Sequence, residues 1–186
     1  LIYGNPVLKQ QSSYVRELTP EIKSLIEEME NMMYDNSGIG LAAPQVGELA
    51  RLVLVDVDQV SSEGDKKPER KLRVFINPEL TWESEQDCSY TEGCLSVPGV
   101  DGKVWRPEKV RVKYRDENFE EREIEADGLL ARCIQHEIDH LDGVLFVDRL
   151  NFSQRALLAG KLSRLRKQAA GKTASRRDKK DGDLKI

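Results

Sequence analysis

Both histidines of the chain lie in one short motif, in which His136 and His140 enclose Glu137 in the pattern H-E-x-x-H. On an α-helix, positions i and i+4 lie on one face about one turn apart, so two imidazoles can bind one metal ion while the intervening carboxylate acts as a base. The alternative is that both histidines lie on a solvated helix face and bind no metal. The false-positive risk of the motif gives this interpretation roughly one chance in ten. The motif therefore predicts a helix that carries a catalytic metal ion.

A third metal ligand has to come from elsewhere, because a catalytic site of this type uses three protein ligands and keeps one position for water. Metalloproteases supply it downstream as a Glu or a third His, but neither residue type follows His140. Asp142 and Asp148 do follow it, although a thiolate suits a divalent transition metal better. The sequence contains three candidate thiols, Cys88, Cys94 and Cys133.

Spacing alone does not decide among these thiols. Cys133 lies one turn before His136 on the same helical face, and its alternative interpretation is a small buried hydrophobic residue. Cys94 lies in EGCLSVPG at residues 92–99, where Gly and Pro indicate a loop with a special backbone conformation, as a site requires. The pattern favours Cys94, and Cys133 stays open as a ligand.

Three segments in this order resemble the signature of the peptide deformylase family: GIGLAAPQVG at residues 38–47, EGCLSVPG at 92–99 and QHEIDHLDG at 135–143. The resemblance extends over about residues 2–150. It implies removal of the formyl group from the N-terminal formyl-Met of nascent polypeptides, with release of formate. It also implies that Cys94 joins His136 and His140 in binding one divalent metal ion, with Fe(II) expected and Ni, Co or Zn as substitutes.

The same resemblance assigns further residues. Glu137 would act as general base and acid, while the Gln45 side-chain amide and the Leu95 backbone N–H would stabilise the oxyanion. Six residues would contact the substrate: Ile39, Leu129 and Cys133 as walls of a Met pocket, Tyr90 and Glu92 at its rim, and Gly40 as backbone partner of an added strand. Arg132 and Asp101 depart from the family's usual residue types, which bears on the affinity for longer peptides.

Two other functions are compatible with the metal motif. A general zinc metalloprotease shares H-E-x-x-H, but the lack of a downstream Glu or His ligand puts this hypothesis below about one in twenty. The other is a non-catalytic, metal-containing module associated with the ribosome. Glu137 and Gln45 argue against it, because a structural metal site needs neither a base nor an oxyanion donor.

Composition bounds the class of protein. With 186 residues, 39% of them hydrophobic and 33% charged, the chain fits one domain, and it contains no apolar run of about 18 residues that would span a membrane. Three cysteines, one of them a metal ligand by resemblance, favour a reducing compartment. We therefore expect a bacterial cytoplasmic protein, with an organellar source left open.

The C-terminal region is basic, although the net charge of the chain is -4. Residues 161–180 contain nine Lys or Arg residues and a single acid, Asp178. A solvated tail and an electrostatic contact with ribosomal RNA phosphates are about equally supported. We expect residues 1–170 to form one catalytic domain and residues 171–186 to form a disordered basic tail.

Hydrophobic periodicity and turn residues predict several strands, two long helices and a C-terminal helix. The family resemblance implies an α+β fold with mixed or antiparallel β-sheets around a central metal-binding helix. Thr19 and Pro20 begin a first helix, whose apolar face includes Met29, Met32 and Met33. Strands are expected at residues 2–8, 51–57, 72–76, 79–85, 102–105, 109–114, 119–125 and 144–147. Loops are expected at residues 38–47 and 59–71, and the C-terminal helix at about 153–170.

Overall fold

The computed structural model describes residues 1–58 and 70–181, with side chains as far as residue 171, so most of the loop predicted at 59–71 lies outside the described residues. The described strands are β1 (Gly40–Ala42), β2 (Leu52–Val55), β3 (Arg73–Glu83), β4 (Asp87–Gly93), β5 (Asp101–Pro107), β6 (Lys109–Arg115) and β7 (Glu121–Asp127). The described helices are α1 (Pro20–Asp35), α2 (Ala43–Val46), α3 (Gly128–Leu141) and α4 (Phe152–Asp181). The predicted α+β class is confirmed.

Two antiparallel sheets organise these elements. The larger sheet has the order β1-β2-β3-β6-β7, and the smaller sheet pairs β4 with β5. β2 is buried on both faces, because Val53 and Val55 belong to the core cluster of α3, whereas Leu52 and Leu54 belong to that of α1. Alternate side chains of a strand point to opposite faces, so the larger sheet lies between the two helices.

α1 begins as predicted. The Thr19 hydroxyl accepts a hydrogen bond from the Ile22 N–H (3.4 Å), and a proline occupies the first turn. Met29 and Met33 are fully buried, but Met32 is 44% exposed, so its predicted place on the buried face is wrong. Met32 follows Met29 by three residues, a rotation of about 300° around the helix axis, which puts Met32 at the margin of the buried face.

α3 is the centre of the molecule, since all its residues from 131 to 141 are buried. Its apolar side, with Ile134 and Ile138, packs in the same core cluster as the larger sheet. Its polar side carries the two histidines and further charged residues. Buried polar groups are costly without hydrogen-bond partners, and the partners that α3 acquires build the site described below.

α4 packs over the smaller sheet, where Leu162 and Leu165 join Val97 and Val104 in one cluster. The backbone is helical to Asp181, beyond the end of the C-terminal helix predicted near residue 170. Lys and Arg make up five of the eleven residues at 171–181 and favour helix, and Gly171 costs only about 1 kcal/mol. None of the described helices combines the length and the apolar character needed to cross a membrane.

Three segments differ from their predicted form. Residues 2–8 form a turn and the 3₁₀ helix Pro6–Lys9 instead of a strand, because the Asn5 side chain accepts a hydrogen bond from the Val7 N–H (3.0 Å). Residues 144–147 lead into the 3₁₀ helix Phe146–Asp148. Its turn is closed where Asp148 accepts a hydrogen bond from the Leu145 N–H (2.9 Å). Residues 38–47 contain β1 and α2 rather than a loop alone.

β3 joins two strands that the sequence separates. Asn77 has a left-handed backbone (φ 53°), and the register with β6 shifts between Ile76 and Glu79. Pro78 lacks an N–H, and the strand accommodates this with a bulge instead of ending. β4 is absent from the sequence prediction, because its residues are mostly polar and its order comes from pairing with β5.

Candidate metal centre

α3 carries both imidazoles on one face, as the spacing predicts. The ring centroids of His136 and His140 lie 5.1 Å apart at an interplanar angle of 74°, and both side chains are buried. Two nitrogen donors thus point into one small volume.

The loop that follows β4 brings Cys94 to the same face. Its Sγ lies 3.2 Å from the Nε2 of His140, and the donor atoms of Cys94, His136 and His140 all lie within 4.8 Å of one another. One thiolate and two imidazoles at this spacing fit a divalent transition ion with three protein ligands. The donor set therefore agrees with the metal that the histidine motif predicts.

The other candidate ligands lie outside this cluster. Asp142 forms an ion pair with Arg51 (2.7 Å), and Asp148 closes the turn before α4. The Cys133 thiol donates to a backbone carbonyl oxygen (3.5 Å), and the Cys88 sulfur lies 3.2 Å from a guanidinium nitrogen. Of the three thiols, Cys94 is thus the one that the described structure places in the donor cluster.

Glu92 orients His136. The Nδ1 of His136 lies 2.8 Å from Oε2 of Glu92, and an imidazole that donates this proton to a carboxylate leaves its Nε2 for a metal. Burial opposes ionisation of Glu92, but hydrogen bonds from Arg106 and His136 outweigh it and hold the pKa of this carboxyl well below its usual range. The Glu92 side chain is only 5% exposed, so its carboxylate meets His136 and arginines rather than solvent.

A buried ion network supports this carboxylate. Arg106, 2% exposed, donates to both oxygens of Glu92 (2.7 and 2.9 Å) and to Asp139 (2.7 Å). Arg132 donates to Glu92 (3.1 Å), and Arg149 forms an ion pair with Asp139 (2.5 Å). This network is not predicted from the sequence. The sequence holds one signal of it: Arg106 follows the apolar Val104 by two residues in β5, so both side chains lie on the same buried face.

Glu137 lies at the bottom of the site and is 4% exposed. Burial raises the pKa of this carboxyl to about 7. Its Oε2 makes no hydrogen bond within the described part of the chain. The backbone of β1 passes so close that a Cβ on Gly40 would lie 2.6 Å from the other oxygen, Oε1. Glu137 is thus a buried carboxyl group with a raised pKa, beside the donor cluster.

Gln45 and Leu95 border the donor cluster. The Oε1 of Gln45 accepts a hydrogen bond from the Ala42 N–H (2.7 Å), which turns the Nε2 towards Ser96 Oγ (3.3 Å) and Cys94 Sγ (3.5 Å). The Leu95 N–H makes no backbone hydrogen bond in the described residues. Two N–H donors therefore lie beside the donor cluster.

A cavity of about 760 Å³ opens onto this cluster. It is bordered by β1 on one side and by β4 and the following loop on the other. Gln45, Leu95 and Glu137 line this cavity. All six residues predicted to contact the substrate line it as well: Ile39, Gly40, Tyr90, Glu92, Leu129 and Cys133.

The sequence profile of the family described as Polypeptide deformylase matches residues 1–156. The chain belongs to the peptide deformylase family. A peptide deformylase of Salinibacter ruber is 47% identical over 161 residues, which are 84% of this chain and 82% of that protein. This match favours a deformylase over the metalloprotease and over the non-catalytic module.

Solved peptide deformylase structures share the fold. The enzyme from Arabidopsis thaliana, in complex with an inhibitor, has a TM-score of 0.84 at 34% identity, covering 94% of this chain and 93% of that one. The enzyme from Synechococcus elongatus, in complex with actinonin, has a TM-score of 0.77 at 42% identity, covering 86% and 83%. The likeness therefore extends over most of each peptide deformylase chain.

Proposed function

We propose that this chain hydrolyses the N-formyl group of formyl-Met at the start of nascent polypeptides and releases formate. The observation that carries the proposal is the convergence of a Cys, His, His donor set with a buried Glu in one cavity of a peptide deformylase chain. Residues 1–170 would form the catalytic domain. We place the protein in the bacterial cytoplasm, in keeping with its bacterial relatives.

Cys94, His136 and His140 would hold one divalent transition ion, which their mixed sulfur and nitrogen donors suit. Membership of the family makes Fe(II) the expected ion, with Ni, Co or Zn as substitutes. When bound, such an ion lowers the pKa of a coordinated water from about 15.7 to about 7 and polarises a carbonyl oxygen. Glu92 would keep His136 in the tautomer whose Nε2 faces the site.

Glu137 would move the protons of the reaction. A carboxyl with a pKa of about 7 is near the value at which one group can both accept and donate a proton at neutral pH. It would accept the proton of the attacking water and then deliver it to the amine that leaves as formate separates. Its burial keeps bulk water from exchanging that proton during the reaction.

Gln45 and Leu95 would stabilise the negative charge that develops on the formyl oxygen. Two N–H donors held by the fold before reaction act on the transition state without reorganisation. The hydrogen bond from Ala42 to the Gln45 Oε1 supports this role, because it fixes which end of the amide faces the site.

The substrate would lie along the cavity as an added strand, with its backbone beside Gly40. Ile39, Leu129 and Cys133 would enclose the Met side chain, and Tyr90 would border the chain that follows. The basic residues from 161 to 180 support a further contact with ribosomal RNA, which would hold the enzyme near emerging chains.

The first test measures formate release from formyl-Met-Ala-Ser by the protein loaded anaerobically with ferrous iron. We expect turnover by the parent, a loss of several orders of magnitude in Glu137→Gln, and no change in the exposed control Glu85→Gln. Absence of formate from the metal-loaded parent would contradict deformylation, and cleavage of an internal amide in its place would point to the metalloprotease.

A further inference from the structure

α4 carries a guanidinium, that of Arg166, which lies against Tyr3. The guanidinium carbon is 5.1 Å from the centroid of the Tyr3 ring, and Nη2 donates a hydrogen bond to the Tyr3 hydroxyl (2.8 Å). The backbones are also in close contact, since a Cβ on Gly4 would lie 2.7 Å from the Arg166 Cα. Tyr3 is only 3% exposed and packs in one cluster with Val97, which lies in the loop that carries Cys94. Arg166 therefore fixes Tyr3 from the side of α4.

Tyr3 continues this contact into the loop at residues 94–99. The Tyr3 N–H donates a hydrogen bond to the Ser96 carbonyl oxygen (2.7 Å). The Ser96 N–H donates to Cys94 Sγ (3.4 Å), and the Ser96 hydroxyl accepts from the Nε2 of Gln45 (3.3 Å). Ser96 is 1% exposed, so these bonds are sheltered from water. One residue of the loop thus holds both a proposed metal ligand and a proposed oxyanion donor, and Tyr3 holds that residue.

α4 also contacts the far end of the same loop. Lys161, five residues before Arg166, donates a hydrogen bond from its Nζ to the Gly99 carbonyl oxygen (3.2 Å). Leu162 and Leu165 lie between these two basic residues and belong to the same apolar cluster as the loop residue Val97. Two polar contacts and the apolar packing between them therefore fasten the loop to α4.

We propose that Arg166 and Tyr3 are positioning residues for the reaction, which act through Ser96 to hold the Cys94 thiolate and the Gln45 amide in place. The inference rests on the proposed deformylation, because it concerns a ligand and a donor of that site. Groups that orient metal ligands directly contribute about 10- to 100-fold to metal affinity or activity. Arg166 acts one contact further out, so we expect its loss to cost about three- to tenfold.

The test uses Arg166→Gln in the full chain and has two readouts. The first is the rate at which a chromophoric chelator withdraws Zn(II) from the loaded protein, which should rise about three- to tenfold. The second is formate release from formyl-Met-Ala-Ser by the protein loaded anaerobically with ferrous iron. Here kcat should fall by a similar factor while KM stays constant, because the proposed walls of the Met pocket, Ile39, Leu129 and Cys133, lie outside the loop.

Arg155→Gln is the matched control. It removes the same charge from the first turn of α4, where the guanidinium lies 3.5 Å from Asp148 and not beside Tyr3. Both readouts should keep their parental values in this variant. Tyr3→Phe tests the route of the effect, because it removes only the hydroxyl that Arg166 contacts. Arg166→Gln should therefore cost less in the Tyr3→Phe background than in the parent, since changes that share one contact are not additive.

Three results would overturn the inference: parental chelation rate and kcat in Arg166→Gln, equal effects in Arg155→Gln, or full additivity with Tyr3→Phe. A thermal melt of each metal-free variant verifies that the readouts come from folded protein. A metal-loaded parent that releases no formate would instead refute the proposed function, and the chelation rates would still report whether Arg166 holds the loop.

Discussion

Replacement of Gly40 by Ala tests the closest packing in the site. A Cβ at this position would lie 2.6 Å from Glu137 Oε1 and 2.6 Å from Cys133 Sγ, whereas ordinary contacts begin at 3.4 Å. Relief of the clash requires a shift of about 0.8 Å, the difference between the 2.6 Å contact and the 3.4 Å at which ordinary contacts begin. Misplacement of a catalytic group by about 1 Å can cost 10²-fold in rate. We therefore expect Gly40→Ala to lower kcat/KM about 100-fold, which corresponds to about 2.7 kcal/mol of transition-state stabilisation.

The assay is formate release with matched metal content, accompanied by a thermal melt. Gly160→Ala is the control, because a Cβ at Gly160 in α4 would meet no atom within 4 Å. It should keep full activity and slightly stabilise the helix. A melt that shows folded Gly40→Ala protein separates a misplaced carboxylate from unfolding.

A double variant assigns the cause. Cys133→Ala removes the Sγ contact, but the contact with the Glu137 carboxylate stays, so Gly40→Ala/Cys133→Ala should remain about 100-fold below Cys133→Ala. Recovery to the activity of Cys133→Ala would show that packing against the thiol, and not displacement of Glu137, causes the loss. Parental activity in Gly40→Ala itself would refute the reasoning altogether.

Three further results are expected. Gln45→Leu should lower kcat by about 10²- to 10³-fold with little change in KM, since it removes an oxyanion donor, while the exposed control Gln86→Leu should leave steady-state formate release normal. Arg106→Met should destabilise the fold by about 3 kcal/mol in urea unfolding, because it removes the buried cation shared by Glu92 and Asp139, although Arg132 and Arg149 still pair with these carboxylates; a loss no larger than that of the partly exposed Arg111→Met would contradict this. Removal of the metal by a chelator should abolish activity and lower the melting temperature, because metal binding stabilises the native state. The chelator should not change the melting temperature of Cys94→Ala, which lacks one of the proposed ligands.

Much of the fold follows from local patterns. The cap at Thr19, the helical period of α1 and the apolar run of β2 are encoded by neighbouring residues, and each is confirmed. Two strands are misplaced because their form depends on distant partners. β4 is polar and is ordered by pairing with β5, and β3 continues through Pro78 because β6 accommodates a bulge.

The metal motif is the clearest case of local determination. The i, i+4 spacing of His136 and His140, with Glu137 between them, needs only a helix to bring two donors together. The resemblance to the deformylase family likewise rests on the order of short motifs, which sequence comparison confirms. The reaction class is thus determined by the sequence alone.

The tertiary structure decides the rest. Cys94 and Cys133 are both compatible with the spacing, and only the fold of the loop after β4 brings Cys94 Sγ to His140. The buried network of Arg106 and its carboxylates and the elevated pKa of Glu137 depend on burial and on distances between residues far apart in sequence. Electrostatic interactions depend on separation in space and on exclusion of water, and neither quantity is contained in the order of residues along the chain.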